Sequence, residues 1–217
     1  MKRVLLVPAL LLAAALLALT ACTGSSGGSK PSKPKASELQ GNPGTGKFMG
    51  SGLIPPQPRP SFTLTDTNGQ PFAFGSKTSG HPTFLYFGYT NCPDECPASL
   101  ADIAYATRKA PAAIAAKTYV VFVTTDIKHD TGAVINTWLH NFAFGRGVTV
   151  VGLRGTQAQI DTAQAASHIP LAEDGGETHS TSSLLYGRDD YARVLFLRSN
   201  DENDAMLHDL KIIGSAK

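Results

Sequence analysis

Soft-ligand side chains are scarce in this chain: three cysteines and three methionines occur in 217 residues. The methionines do not cluster, which sets aside a carrier that binds metal through thioethers. A net charge of +2 is too small for a nucleic-acid binder, which needs concentrated basic charge. No internal repeat is evident, and no apolar run reaches the ~20 residues of a membrane-spanning helix. With cysteine so rare, each one can be given a place.

Cys22 closes a targeting segment. Lys2 and Arg3 form a positive start, Val4 to Leu19 an apolar core, and Leu19-Thr20-Ala21-Cys22 a small-residue cleavage site. That order is similar to a bacterial lipobox, in which cleavage precedes the cysteine and the thiol carries lipid. Residues 1–21 are therefore expected to be a lipoprotein signal peptide and Cys22 the lipidation site. The protein would then be lipid-anchored on the extracytoplasmic face of a bacterial plasma membrane, where disulfides persist. Residues 22–59 are rich in Gly, Ser, Pro and Lys and read as a flexible tether. Lys30, Lys33, Lys35 and Lys47 keep it solvated and could favour an anionic membrane surface. Residues 60–217, about 160 in number, suffice for one well-buried domain.

Within that domain, Ser61–Asp66 alternates apolar and polar, and Asn68-Gly69 turns it into Gln70–Phe74, a hairpin. Thr83–Phe87 and Tyr119–Val123 are apolar enough for strands covered on both faces. Pro97 suits the first turn of a helix running through Leu100 and Ile103 towards Arg108. Ala133–Phe142 has helical periodicity and places Trp138 in the core. A third strand is expected at Val148–Val151 and a helix at Thr156–Ala166, with Thr156 as its cap. A last hairpin follows at Ser183–Tyr186 and Ala192–Leu197, then a closing helix at Ala205–Ile213. Alternating strands and helices imply an α/β sandwich with parallel strands.

The remaining cysteines lie in Phe87-Gly-Tyr-Thr-Asn-Cys92-Pro-Asp-Glu-Cys96-Pro97, between a buried strand and a helix start, where open α/β sheets place their chemistry. Two thiols four positions apart can hold copper or zinc, or close into a disulfide. Helix-start amides are expected to lower at least one thiol pKa. Asp94 and Glu95 between them read as an exposed acidic patch for partner docking.

This segment resembles the FxYTxCPDxCP pattern of the Sco/SenC family of thioredoxin-fold copper proteins. Thr125-Asp126-Ile-Lys-His-Asp130-Thr131 resembles the family's VDPxxDT segment, Gly152-Leu-Arg-Gly-Thr156 its GLTGT segment, and Thr178-His179-Ser180 the surroundings of its ligand histidine. Three departures stand out. Asn91 replaces a histidine, Ile127 replaces a proline, and Gly187-Arg-Asp-Asp190 stands where members have a DPDG turn.

The resemblance implies a thioredoxin-like fold: a central mixed sheet flanked by helices, with an N-terminal hairpin. It implies a copper site for Cu(I) and Cu(II) made of Cys92, Cys96 and His179, with His179 on a glycine-flanked loop suited to a carrier. Asp126, and with it Asp130, is implied as a residue shaping the site from the next layer out, and Asp130 also reads as a helix cap. The other histidines are expected not to be ligands, His129 being the nearest exception.

The function so implied is a membrane-tethered metallochaperone that delivers copper to the binuclear copper centre of cytochrome c oxidase. Its partners would be the oxidase's copper-binding subunit, another copper chaperone as donor, and the membrane through the N-terminal lipid; no nucleic acid is involved. Such a carrier needs no turnover. The alternative is a thiol–disulfide oxidoreductase using Cys92 and Cys96 as a redox pair to reduce cysteines on the oxidase or another extracytoplasmic protein. That reading does not need His179.

Overall fold

The two most apolar short runs of the domain lie side by side at the centre of one sheet. The computed structural model describes residues 47–197 and 202–216; the expected signal peptide, Cys22 and the tether up to residue 46 lie outside them. The elements are β1 (Ser51–Pro58), β2 (Thr63–Asp66), β3 (Pro71–Ala73), α1 (Phe74–Thr78), β4 (Thr83–Gly88), α2 (Glu95–Lys109), α3 (Ala112–Ala115) and β5 (Tyr119–Thr124). They continue with α4 (Gly132–Leu139), β6 (Thr149–Arg154), α5 (Gln157–Ala166), β7 (Ser183–Tyr186), β8 (Tyr191–Phe196) and α6 (Glu202–Ser215). Among the described residues, no helix is long and apolar enough to cross a membrane.

The eight strands follow the order β1-β8-β7-β4-β5-β6-β2-β3. β4, β5 and β6 run parallel, as helix-covered strands do. β7 joins β4 antiparallel, and the β2–β3 hairpin is antiparallel to β6. The sheet is therefore mixed.

Strand periodicity divides the core. Phe84, Tyr86, Val120 and Phe122 face α2, α4 and α6, packing with Leu100, Ile103, Ile135, Met206 and Leu210. Leu85, Phe87, Val121 and Val123 face the other way, onto Phe62, Leu64, Phe74 and Ile160. Since β4 and β5 bury both faces, they carry no polar alternation.

Most expected elements recur with small boundary shifts. Thr156 caps α5 in a reciprocal pair with Gln159. Trp138 is partly buried against Phe122 and Phe142. Asp130 does not cap α4; Thr131 does, accepting from the Val134 amide.

The tether assignment needs a correction at its end. Ser51–Pro58, read as part of a flexible segment because of its prolines, is the edge strand β1, paired antiparallel with β8. Prolines cannot donate to a ladder, but an edge strand tolerates them where pairing lapses. Here the register slips between Gly52 and Gln57, the interval holding Pro55 and Pro56. Beyond it, Arg59 is nearly inaccessible, with 2% of its side chain exposed. Its guanidinium donates to Asp190 Oδ1, Thr78 Oγ1, His81 O and Gly187 O, and lies over the Tyr186 ring. This arginine thus fastens the divergent Gly187–Asp190 turn to the start of β4.

Candidate metal centre

The site is assembled at the carboxyl end of β4. The chain leaves the strand at Gly88 and turns through Tyr89–Asp94 into α2. Asp94 caps the helix, its carboxylate accepting from the Glu95 amide at 2.7 Å, so the residue expected to serve docking has a local structural task. Cys96 is the second residue of α2 and is buried, while Cys92 is partly accessible; both are free thiols. The Cys92 sulfur accepts from the Cys96 amide at 3.4 Å.

The third donor comes from far along the chain. His179 Nε2 lies 3.3 Å from Cys96 Sγ, 83 positions away in sequence. Its Nδ1 faces the Ser180 carbonyl oxygen at 2.8 Å. A carbonyl can only accept, so Nδ1 carries the proton and Nε2 presents a lone pair. The imidazole stands edge-on to the Tyr86 and Tyr89 rings. Burial holds it below the ordinary histidine pKa, with the Ser180 carbonyl and Glu95 opposing the shift.

One ligand atom each from Cys92, Cys96 and His179 lie within 4.8 Å of one another, and among the described residues no other metal-competent cluster of three such groups occurs. Metal–sulfur bonds of about 2.3 Å and metal–nitrogen bonds of about 2.0 Å span a comparable distance. Two sulfurs and one imidazole suit Cu(I), and the imidazole extends the range to Cu(II). The donor set therefore fits a copper ion.

The expectation that helix-start amides would lower a thiol pKa does not hold for Cys96. Burial pushes this thiol up to about 12, against lowering contacts from Tyr86 and the Tyr89 backbone. Desolvation outweighs the helix dipole because the sulfur is wholly enclosed. In the metal-free state Cys96 is a neutral S–H donor to His179 Nε2.

The loop bearing His179 is tied down more firmly than its glycines suggest. Glu173 and Thr178 exchange backbone hydrogen bonds across its base. Gly176, at φ +107°, accepts from Thr125 Oγ1 at 2.7 Å, and any Cβ there would collide with the Thr125 carbonyl oxygen. The end of β5 thus sets where the histidine loop lies.

Asp126 and Asp130 exchange the importance the sequence suggested. The Asp126 carboxylate closes its own turn, accepting from the Lys128 and His129 amides and contacting His129 Nδ1. Asp130, fully buried, accepts from the Thr90 amide at 3.0 Å and from the Thr90 and Thr124 hydroxyls. It therefore clamps the segment two residues before Cys92 to the end of β5. No pattern of spacing separates the two aspartates; only the tertiary contact does.

Two further residues shape the site, Gly88 and Tyr86. A Cβ on Gly88 would lie 2.8 Å from both Cys96 Sγ and Tyr86 Cε1. A glycine ending an otherwise apolar strand was the signal, since it marks a close approach. Gly88→Ala is expected to cost ~1–3 kcal/mol of stability through overpacking and to displace the Cys96 sulfur. Denaturant unfolding and copper titration of the same sample check both effects. Tyr86 is fully buried, with its hydroxyl beside Cys96 and Ser99. Burial, then proximity to Cys96, drives its pKa far upward, so it stays a neutral phenol.

Comparison with known proteins agrees with this geometry. The SCO1/SenC family model matches residues 55–213. Bradyrhizobium japonicum ScoI, solved with copper bound, is 30% identical, with TM-score 0.57, covering 71% of this chain and 98% of that one. Thermus thermophilus Sco1, solved without metal, shares the fold at TM-score 0.64 and 24% identity, over 78% and 99% of the two chains. An SCO2-like protein of Rickettsia prowazekii is 37% identical over 101 residues, 46% of this chain and 45% of its own length; the chain thus spans under half of that relative. With the family match running from β1 into α6 and its cysteine segment at the centre of the site, the chain belongs to the SCO1/SenC family.

Proposed function

We propose that this protein is a membrane-tethered copper metallochaperone that carries the ion between Cys92, Cys96 and His179 and delivers it to the binuclear centre of cytochrome c oxidase. The observation that carries this reading is the convergence of the three donors within 4.8 Å. A copper-bound relative supports the cargo, and the family's link to oxidase assembly supports the recipient, the oxidase's copper-binding subunit, with another copper chaperone as donor. Partial exposure of Cys92 leaves one ligand reachable by a partner's own thiols, while Cys96 and His179 retain the ion from behind. The ion would thus pass by ligand exchange, with no redox turnover.

The test is a titration of the reduced protein with Cu(II), followed by absorption. One ion per chain, with thiolate-to-copper charge-transfer bands, is expected; absence of such bands would refute the assignment. The pH dependence has a definite sign. Cys96 is protonated near neutrality, so binding must expel its proton. Apparent affinity should rise at least about tenfold from pH 7 to pH 8 on account of this one proton.

The same thiols favour a second reading, because both are free and their sulfurs lie within 4.8 Å. Closing a Cys92–Cys96 disulfide would pass two electrons and two protons to a target disulfide. For the tether, Cys22→Ser should release the protein from membranes in a fractionation; undiminished retention would contradict lipidation.

A further inference from the structure

The chain enters its folded domain at one defined place. The buried Asp209 carboxylate of α6 accepts from the Met49 and Gly50 amides, both at 2.9 Å. Preceding residues must therefore leave from the surface around Lys47 and Phe48. Two adjoining hollows there, of about 170 and 260 Å³, share Lys47, Phe48 and Arg193 among their walls. Arg188 lines one and Ile54 the other, and Arg193 also lies 5.7 Å over the Tyr191 ring. Ile54 is 68% exposed and Tyr191 43%, unusual for large apolar side chains on an edge strand and its neighbour. Asp189, paired with Arg193, offsets one of the three cations.

Cations, an exposed aliphatic side chain and an amphipathic tyrosine in one surface are the composition of a protein face that lies in a lipid headgroup layer. The sequence from residue 23 to residue 46 adds three more lysines against a single acid, Glu38. We infer that the surface formed by Lys47, Phe48, Ile54, Arg188, Tyr191 and Arg193 seats the domain on an anionic bilayer. This assignment rests on the tethered reading of the N-terminus, which holds the surface near the membrane at high effective concentration.

The seating has a consequence for the metal centre. β4 starts at Thr83, paired with Tyr186 beside the Gly187–Asp190 turn, and ends at Gly88 against Cys96. Its two ends are ~17 Å apart at about 3.3 Å per residue. With the Arg188 turn on the lipid, Cys92 and His179 lie at the far end of the strand, turned outward to a partner.

The experiment places Ile54→Trp in the full, lipid-anchored chain and reconstitutes it into vesicles of brominated-chain phosphatidylglycerol or brominated-chain phosphatidylcholine. The wild-type chain, with Trp138 alone, provides the baseline. Emission added at position 54 should fall roughly two-fold in the anionic vesicles and little in the zwitterionic ones. Arg188→Glu combined with Arg193→Glu, or high salt, should remove the loss. Emission indifferent to brominated lipid, in a chain that still floats with the vesicles, overturns the seating and leaves the anchor intact; an acidic protein as the true partner would give this result. A chain that fails to float in either lipid overturns both readings.

Discussion

A His179→Ala chain should bind Cu(II) more than about a hundredfold more weakly while keeping both thiols reactive. Loss of an outer partner of a ligand costs 10–100-fold in affinity, and here a donor itself disappears, leaving two sulfurs. The substitution also removes the acceptor that Cys96 faces at 3.3 Å. The imidazole is only partly buried, so the fold should survive its loss. Two readouts separate the two functional readings. Copper titration should show the weakened site, and a strain carrying the variant should fail to restore oxidase activity. A variant fully competent in cells despite weak copper binding would transfer the function to the dithiol pair, which needs no histidine. Cys92→Ser cannot make that distinction, because both readings require the thiol.

The second large effect is expected at Asp130. Its buried carboxylate is the shared acceptor for the Thr90 amide, the Thr90 hydroxyl and the Thr124 hydroxyl. Asp130→Ala would strand these donors at the junction of the cysteine loop and β5. Leaving buried polar groups unpaired costs about 1–3 kcal/mol each, partly recovered where water enters, so a net loss of ~2–4 kcal/mol is expected. Denaturant unfolding of the reduced, metal-free protein measures it. Copper affinity should fall about 10–100-fold in parallel, as for a group that orients a ligand segment. Asp130→Asn, which keeps the volume and one acceptor oxygen, should recover part of both. Unchanged stability and affinity in Asp130→Ala would show that the clamp does not position Cys92. The corresponding change at Asp126 should be milder for copper, since that carboxylate closes its own turn.

The contrast between these aspartates shows where sequence reading stopped. Both stand in the Thr125–Thr131 segment that resembles a family motif, and both could cap a helix or support a ligand. Which one reaches the cysteine loop depends on how β5 pairs beside β4, so that Thr124 sits opposite Gly88. The proton on Cys96 is decided in a similar way. Its position at a helix start is a local fact and suggests a lowered pKa, but burial of its sulfur in the core is a packing fact and has the larger effect. The β1 strand was hidden by its composition, since Pro55, Pro56 and Pro58 resemble a tether until β8 is seen supplying the pairing.

Sequence alone determined the order of the strands and helices other than β1, α1 and α3, because hydrophobic periodicity and caps are local and β4, α2, β5 and α5 carry them strongly. It also determined which atoms could bind a metal, since two thiols and a histidine are chemical facts independent of folding. The tertiary structure decided that these atoms meet, that Cys96 holds its proton, and that Asp130 rather than Asp126 braces the loop. Convergence across 83 residues requires the antiparallel docking of β7 on β4 and the anchoring of Gly176 to Thr125. Such non-local registers depend on the packing of the whole core, and no window of neighbouring residues encodes them.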